Sequence, residues 1–426
     1  MSPLTQTMRG WSAARRRWTA VLFVALVFPL AVWTGYARGN IFVQPDAEIY
    51  SAMAQGQAGS MPFASRQLGP LIVRAMMHLL HLPLQTAFLV LGLGSMMMFV
   101  GTIAFLLVRS DAPQWTIYAV AGLMFWTFQF NALVMPDLLY AALLCGFLLL
   151  LRQGQVMAAC LMLFPLMLAR ESTLLTLVCL LIAGWRRLRK VDAAAAVLAV
   201  GAAMVIVKRL TANALPNVEH ISPALYLVAK MPWNFMRNVL GIRLWANVYP
   251  GCTVPKWQMA VHLGPLQAIG FCGYFPGVQG EMLDFAAAVF GLLPLMVWLA
   301  RKQVLRTGQD QDLMLRFSLI YGAISFLMAP LLGETFVRLY GYGWPLFLVA
   351  LPIVLGRSGA NFKSEWAAAA FLGLHWCAAW SMAWAFPEWL FQVCLGCWVL
   401  GSILLITTFR ADLRKVDAEA PTPIGT

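Results

Sequence analysis

The sequence predicts an all-α fold: a polytopic membrane helix bundle of about 12 transmembrane helices with both termini cytoplasmic. Three observations predict it. The chain of 426 residues is 61% hydrophobic and only 11% charged, against roughly 25% charged residues in a soluble globular domain. Its mean hydropathy is +0.75, and apolar runs near the roughly 20 residues that cross a bilayer recur along it. The basic residues fall in short clusters between those runs, as orientation signals do. The net charge of +13 is therefore not read as a nucleic-acid surface, because no basic domain gathers it.

The first apolar run, 18–36, follows Arg15, Arg16 and Arg17. It is long enough to span and no small-x-small cleavage site follows, so it is expected to be an uncleaved membrane helix and not a secretory signal. Further spans are predicted at 84–108, 113–130, 137–151, 155–169, 172–185, 192–207, 282–300, 313–332, 339–356, 365–383 and 388–409. Residues 1–17 are then a cytoplasmic N-terminus, and 18–207 an N-terminal bundle with a first outer loop at 37–66. Residues 208–281 form an outer interfacial segment, 282–409 a C-terminal bundle and 410–426 a cytoplasmic tail.

With Arg15–Arg17 inside, this count also places Arg109, Arg152, Arg186/Arg187/Arg189/Lys190, Arg301/Lys302/Arg306, Arg357/Lys363 and Arg410/Arg414/Lys415 inside. Every basic cluster of three or more falls on one side. Lys208 and Arg209, at the start of the longest outer segment, are the exception. That segment is broken by prolines, and Ala224–Val228 and Trp233–Trp245 look amphipathic, so short helices lying on the membrane surface are expected there. Leu68–His81 has a similar character.

The outer turns hold the residues that can carry chemistry. In the first outer loop Asp46 and Glu48 stand two apart, pointing the same way on extended backbone and diverging on a helix. They read as solvated loop acids, as oxygen ligands for a divalent cation such as Mg or Mn, or with one of them a general base. Arg66, where the chain re-enters the membrane, either snorkels or grips a phosphate through its planar fork. Asp137 follows Pro136 at a hairpin mouth and reads as a helix-start acid or a functional one. Arg170 and Glu171 interrupt two short apolar runs, where charge is costly; they neutralise each other or neighbours, or they serve function. Glu334 and Arg338 are four apart and could pair on one helix face. The topology puts all eight at one membrane face, and acids beside arginines are the parts of a group transfer from a phosphorylated donor.

This arrangement resembles the GT-C superfamily of integral membrane glycosyltransferases. It carries an acidic motif in the first outer loop, an acid at the next outer turn and an outward Arg before a late helix. Asp46-x-x-x-Tyr50 followed by Arg66-x-Leu68-x-Pro70 is similar to bacterial relatives of that group. The resemblance implies a bundle of roughly ten to thirteen helices. It implies transfer of a sugar from a polyprenyl-phosphate carrier to a periplasmic glycan or lipid acceptor, at a bacterial inner membrane. Matched position by position, Asp46 is the first-loop acid (base or metal ligand), Glu48 its neighbour, Asp137 the second-loop acid, and Arg338 the arginine that meets the carrier phosphate. Arg66 and Arg170 are further phosphate candidates, with Glu171 and Glu334 supporting. The spacing departs from the adjacent acids of many members, and no large soluble domain follows the helices.

Six cysteines fall inside predicted spans, Cys394-x-x-Cys397 among them, and are expected to pack as small apolar groups. Cys252 and Cys272, in the outer segment, are expected to form a disulfide in an oxidising periplasm. Two alternatives stay open beside transfer. One is a ligase or polymerase of lipid-linked glycans using His220 or His262. The other is a 12-span transporter, which would place ionisable groups near the midplane in repeated halves.

Overall fold

The structure, a computed structural model, describes residues 45–110, 134–215, 231–246, 259–263, 266–278, 289–308, 312–332, 339–357 and 388–419, with a few single positions besides. It is mostly helical, at 80%. Among the described residues, three helices are long and apolar enough to cross a membrane: α3 (Leu84–Arg109), α7 (Lys190–Leu210) and α10 (Leu313–Leu332). At about 1.5 Å per residue they rise about 39, 31 and 30 Å, against a hydrocarbon layer of about 30 Å. The predicted spans 18–36, 113–130 and 365–383 lie almost wholly outside the described residues.

The other helices before the outer segment are α1 (Pro45–Ala54), α2 (Leu68–Leu79), α4 (Pro136–Arg152), α5 (Val156–Ala169) and α6 (Thr173–Ala183). After it come α8 (Leu293–Leu299), α9 (Arg301–Gly308), α11 (Gly341–Arg357) and α12 (Glu388–Glu419). Charge placement follows the helix dipole. α4 opens on Pro136 with Asp137 in its first turn and closes on Arg152. α7 opens with Asp192, which accepts from Arg189 at 2.8 Å, and closes on Lys208 and Arg209. Small residues (Ala159, Cys160, Ala196 and Ala203) are buried in the packed pair α5 and α7, as membrane helix contacts favour.

The core runs through α3, α4, α10 and α11, where aromatic rings meet edge to face: Phe99 with Trp344 at 4.8 Å and Phe147 with Phe317 at 5.0 Å. α10 and α11 touch backbone to backbone at Gly322, where an added Cβ would stand 2.4 Å from the Leu346 nitrogen. α11 itself changes winding. A 3₁₀ turn, Gly341–Gly343, precedes a π segment, Pro345–Ala350, and then α-helix to Arg357. Pro345 has no N–H to donate, which favours the break. At the far end of these helices Asp312 accepts from Arg152 at 2.7 Å and Arg357 at 2.9 Å, and caps α10 through the Leu315 N–H. One carboxylate thus ties α4, α10 and α11 together.

The outer segment corrects one expectation. Trp233–Trp245 is not one amphipathic helix. Helical winding stops after the π turn Phe235–Val239, and Gly241 takes φ +72, with its would-be Cβ 2.4 Å from the Phe275 carbonyl oxygen. The Gly241 carbonyl accepts from the Phe275 N–H at 2.7 Å, and the chain continues as strand. β1 (Ile242–Ala246), β2 (Met259–Leu263) and β3 (Leu266–Tyr274) form an antiparallel sheet in the order β1-β3-β2. β1 and β2, of five residues each, carry too few alternations to declare themselves, and Gly270 and Gly273 interrupt the pattern of the nine-residue β3. Ala224–Val228 lies outside the described residues.

Candidate functional site

The turn between α5 and α6 carries Arg170 and Glu171, and their side chains part to opposite partners. The Glu171 carboxylate sits in the fork of Arg66: Nη2 donates to Oε1 at 2.5 Å and Nε to Oε2 at 2.9 Å. Arg66 is held from behind, its Nη1 donating to the Tyr50 hydroxyl at 2.9 Å and its guanidinium lying 5.5 Å from the Phe63 ring centre. Arg66 is 7% exposed and Glu171 41%, so the carboxylate forms the more open side of the pair. Burial pushes the Glu171 carboxyl up, but Arg66, by charge and hydrogen bonds, with Arg170 behind it, brings it down to about 2.

Arg170 turns the other way, into the core. Its Nη1 donates to Asp137 Oδ1 and to the Tyr342 hydroxyl, and the Tyr342 hydroxyl donates to the same carboxylate oxygen. The guanidinium also lies over the Tyr342 ring, 4.7 Å from its centre. Asp137 is 0% exposed and Arg170 5%. Below them, the Tyr140 hydroxyl meets Thr176 at 2.7 Å and Tyr321 at 3.4 Å. Four elements distant in sequence therefore converge: the 3₁₀ turn before α2, the start of α4, the α5–α6 turn and the start of α11. Their charges alternate and cancel.

Asp46 and Glu48 both lie in the first turn of α1. On a helix, residues two apart point to different sides. Asp46 is half-buried and Glu48 exposed, so they do not form one chelating pair. Asp46 shares a face with Tyr50, one turn on, and Tyr50 is the residue that backs Arg66. Among the described residues no group of three or more His, Cys, Asp and Glu is gathered as metal ligands. Glu334 and Arg338 lie outside the described residues, as do Cys252 and His220. Cys272, in β3, is disulfide-bonded, to a sulfur outside the described side chains. His262 falls on β2.

Asp137, expected as a catalytic acid, is wholly buried. Enclosed by Arg170 and Tyr342, it has the geometry of a group that holds others in place. Arg66 and Arg170 likewise meet carboxylates, so an anion reaches Arg66 only in exchange with Glu171. Sequence reasoning missed Tyr342 and the hydroxyls under it, because a tyrosine in an aromatic-rich helix carries no local signal. Tyr50 was within reach, four residues from Asp46. An apolar crevice lined by Gly69, Phe88, Gly92, Met135 and Leu139 runs between α2, α3 and the start of α4 and reaches Tyr50.

Fold and site define a mostly helical protein with, among the described residues, three helices fit to cross a membrane and a charge cluster at the meeting of helix ends. No protein-family model, curated protein or solved structure matches the chain.

Proposed function

We propose that the protein is a multi-pass glycosyltransferase of the GT-C kind, with about 12 spans, that moves a sugar from a polyprenyl-phosphate carrier to a glycan or lipid acceptor on the periplasmic side of a bacterial inner membrane. The observation that carries the reading is the convergence of Arg66, Asp137, Arg170 and Glu171, with Asp46 on the Tyr50 face beside them. Helix lengths support it as well. α5 rises about 21 Å and α6 about 16 Å, short of a hydrocarbon layer of about 30 Å. The Arg170–Glu171 turn therefore ends below the outer surface, within reach of a lipid-linked phosphate.

In this reading Asp46, the half-buried acid, accepts the proton of the acceptor hydroxyl. The acceptor oxygen bonds to the anomeric carbon as the bond from that carbon to the carrier phosphate oxygen breaks. The leaving phosphate keeps the electron pair, and Arg66, released from Glu171, meets its charge together with Arg338. Asp137 and Tyr342 keep Arg170 in position. Asp46 and Glu48 diverge and do not fit a shared cation, so no step is routed through a metal.

Reconstituted protein given short-chain polyprenyl-phosphate sugars is expected to release the carrier, and Asp46→Asn to abolish release with expression intact. Full release by that variant, or none by the parent chain across the donor panel, rejects the reading. A second reading, translocation, is favoured by the Arg152–Asp312–Arg357 tie, because charged clamps then close both ends of α4 and α11. Ligand-dependent counterflow in proteoliposomes without carrier release would decide for it.

A further inference from the structure

The small sheet of the outer segment carries a surface that the transferase reading leaves unused. β3 holds one residue more than β1 at its bulge: Arg243 pairs with Gly273 and Leu244 with Phe271, which leaves Cys272 extra. Two residues then share one side where alternation allows one, so Phe271 and Tyr274 emerge on the same face. They are 52% and 60% exposed. Ile242 pairs with Tyr274, and Leu240 and Phe235, in the segment that leads into β1, are exposed too, at 37% and 42%. Arg243, which pairs with Gly273 between Ile242 and Leu244, falls on the opposite face, 5.0 Å from the Phe275 ring centre.

The patch is fastened to a helix that is fit to cross the membrane. Asn234 donates to the Leu331 carbonyl at 3.1 Å and Asn238 to the Pro330 carbonyl at 2.8 Å. These are among the last carbonyls of α10, which its own turn leaves without partners. The segment that leads into β1 thus caps α10 where that helix ends.

We propose that the sheet face bearing Phe271 and Tyr274, with Phe235 and Leu240, is seated in the headgroup layer of the lipid bilayer and acts as an interfacial anchor. Continuity with the end of α10 selects the bilayer over a soluble partner. Aromatic rings favour that layer. The sheet then lies along the membrane, holding the end of α10 at a set depth. This rests on α10 crossing the membrane and is independent of the transferase chemistry.

The test uses the full chain in nanodiscs of zwitterionic and anionic phospholipid. The lipid carries a photoreactive diazirine close to the headgroup, and adducts are mapped by mass spectrometry. Leu327, 71% exposed on α10, reports labelling of the span itself. Adducts on Phe271 and Tyr274 at a yield comparable with Leu327 are expected. Labelled Leu327 with Phe271 and Tyr274 at background overturns the proposal.

Discussion

Arg170 and Arg66 carry the same charge and meet the same kind of partner, but burial makes their pairs unequal. Asp137 and Arg170 are enclosed, and removing one member of such a pair costs about 3–5 kcal/mol because it strands the other. The Glu171 carboxylate is 41% exposed, so its removal opens the Arg66 guanidinium to its surroundings and strands that charge less completely. Asp137→Ala is therefore expected to lower the unfolding midpoint in detergent far more than Glu171→Ala. Combining Asp137→Ala with Arg170→Met should recover much of the loss, because no stranded charge remains. Equal effects of the two single variants would contradict this ordering. The Glu171 pair also gives a pH signature. A carboxyl lowered from 4.5 to about 2 by folding adds stability that is fully present above pH 4.5 and is lost as pH falls toward 2. The parent chain should lose stability across that window by an increment absent from Glu171→Gln. Identical pH profiles would show that Arg66 does not hold the carboxylate.

At the scale of elements, the position of α11 decides where Tyr342 stands, and Gly322 decides the position of α11. A methyl group at 322 would sit 2.4 Å from the Leu346 nitrogen. Backbone cannot yield as a flexible side chain does, so Gly322→Ala must push α11 away from α10. Overpacking of this kind costs about 1–3 kcal/mol. Tyr342, four residues before Leu346, would withdraw from Arg170 and Asp137. The expected result is a lowered unfolding midpoint, with the further loss on adding Tyr342→Phe much smaller than in the parent chain. Full additivity of the two changes would mean that the helix contact does not govern the tyrosine. The sheet teaches a different lesson about elements. Its strands are short, β1 and β3 are joined only by long-range pairing, and one glycine in the left-handed region turns an amphipathic stretch into a strand. Residue periodicity sees none of this.

For the whole molecule, the apolar runs were legible because length and hydrophobicity are properties of contiguous sequence. The predicted 84–108, 192–207 and 313–332 coincide with α3, α7 and α10 to within a few residues. The charged residues that gather were also legible as residue types at expected turns. Which of them pair was not. Arg170 and Glu171 are neighbours, and the simplest expectation is mutual neutralisation. Instead the turn points them apart, one to a carboxylate 33 residues earlier and the other to a guanidinium 105 residues earlier. Composition and spacing by themselves determined that this chain is a helical protein built for a membrane, because burying apolar surface and satisfying backbone polar groups leave a long apolar run little choice but helix. Only the tertiary structure decided that Asp137 is enclosed, that Tyr342 completes its site, and that part of the outer segment is a sheet. Those outcomes depend on contacts between distant segments, and their energies exist only once the helices have packed.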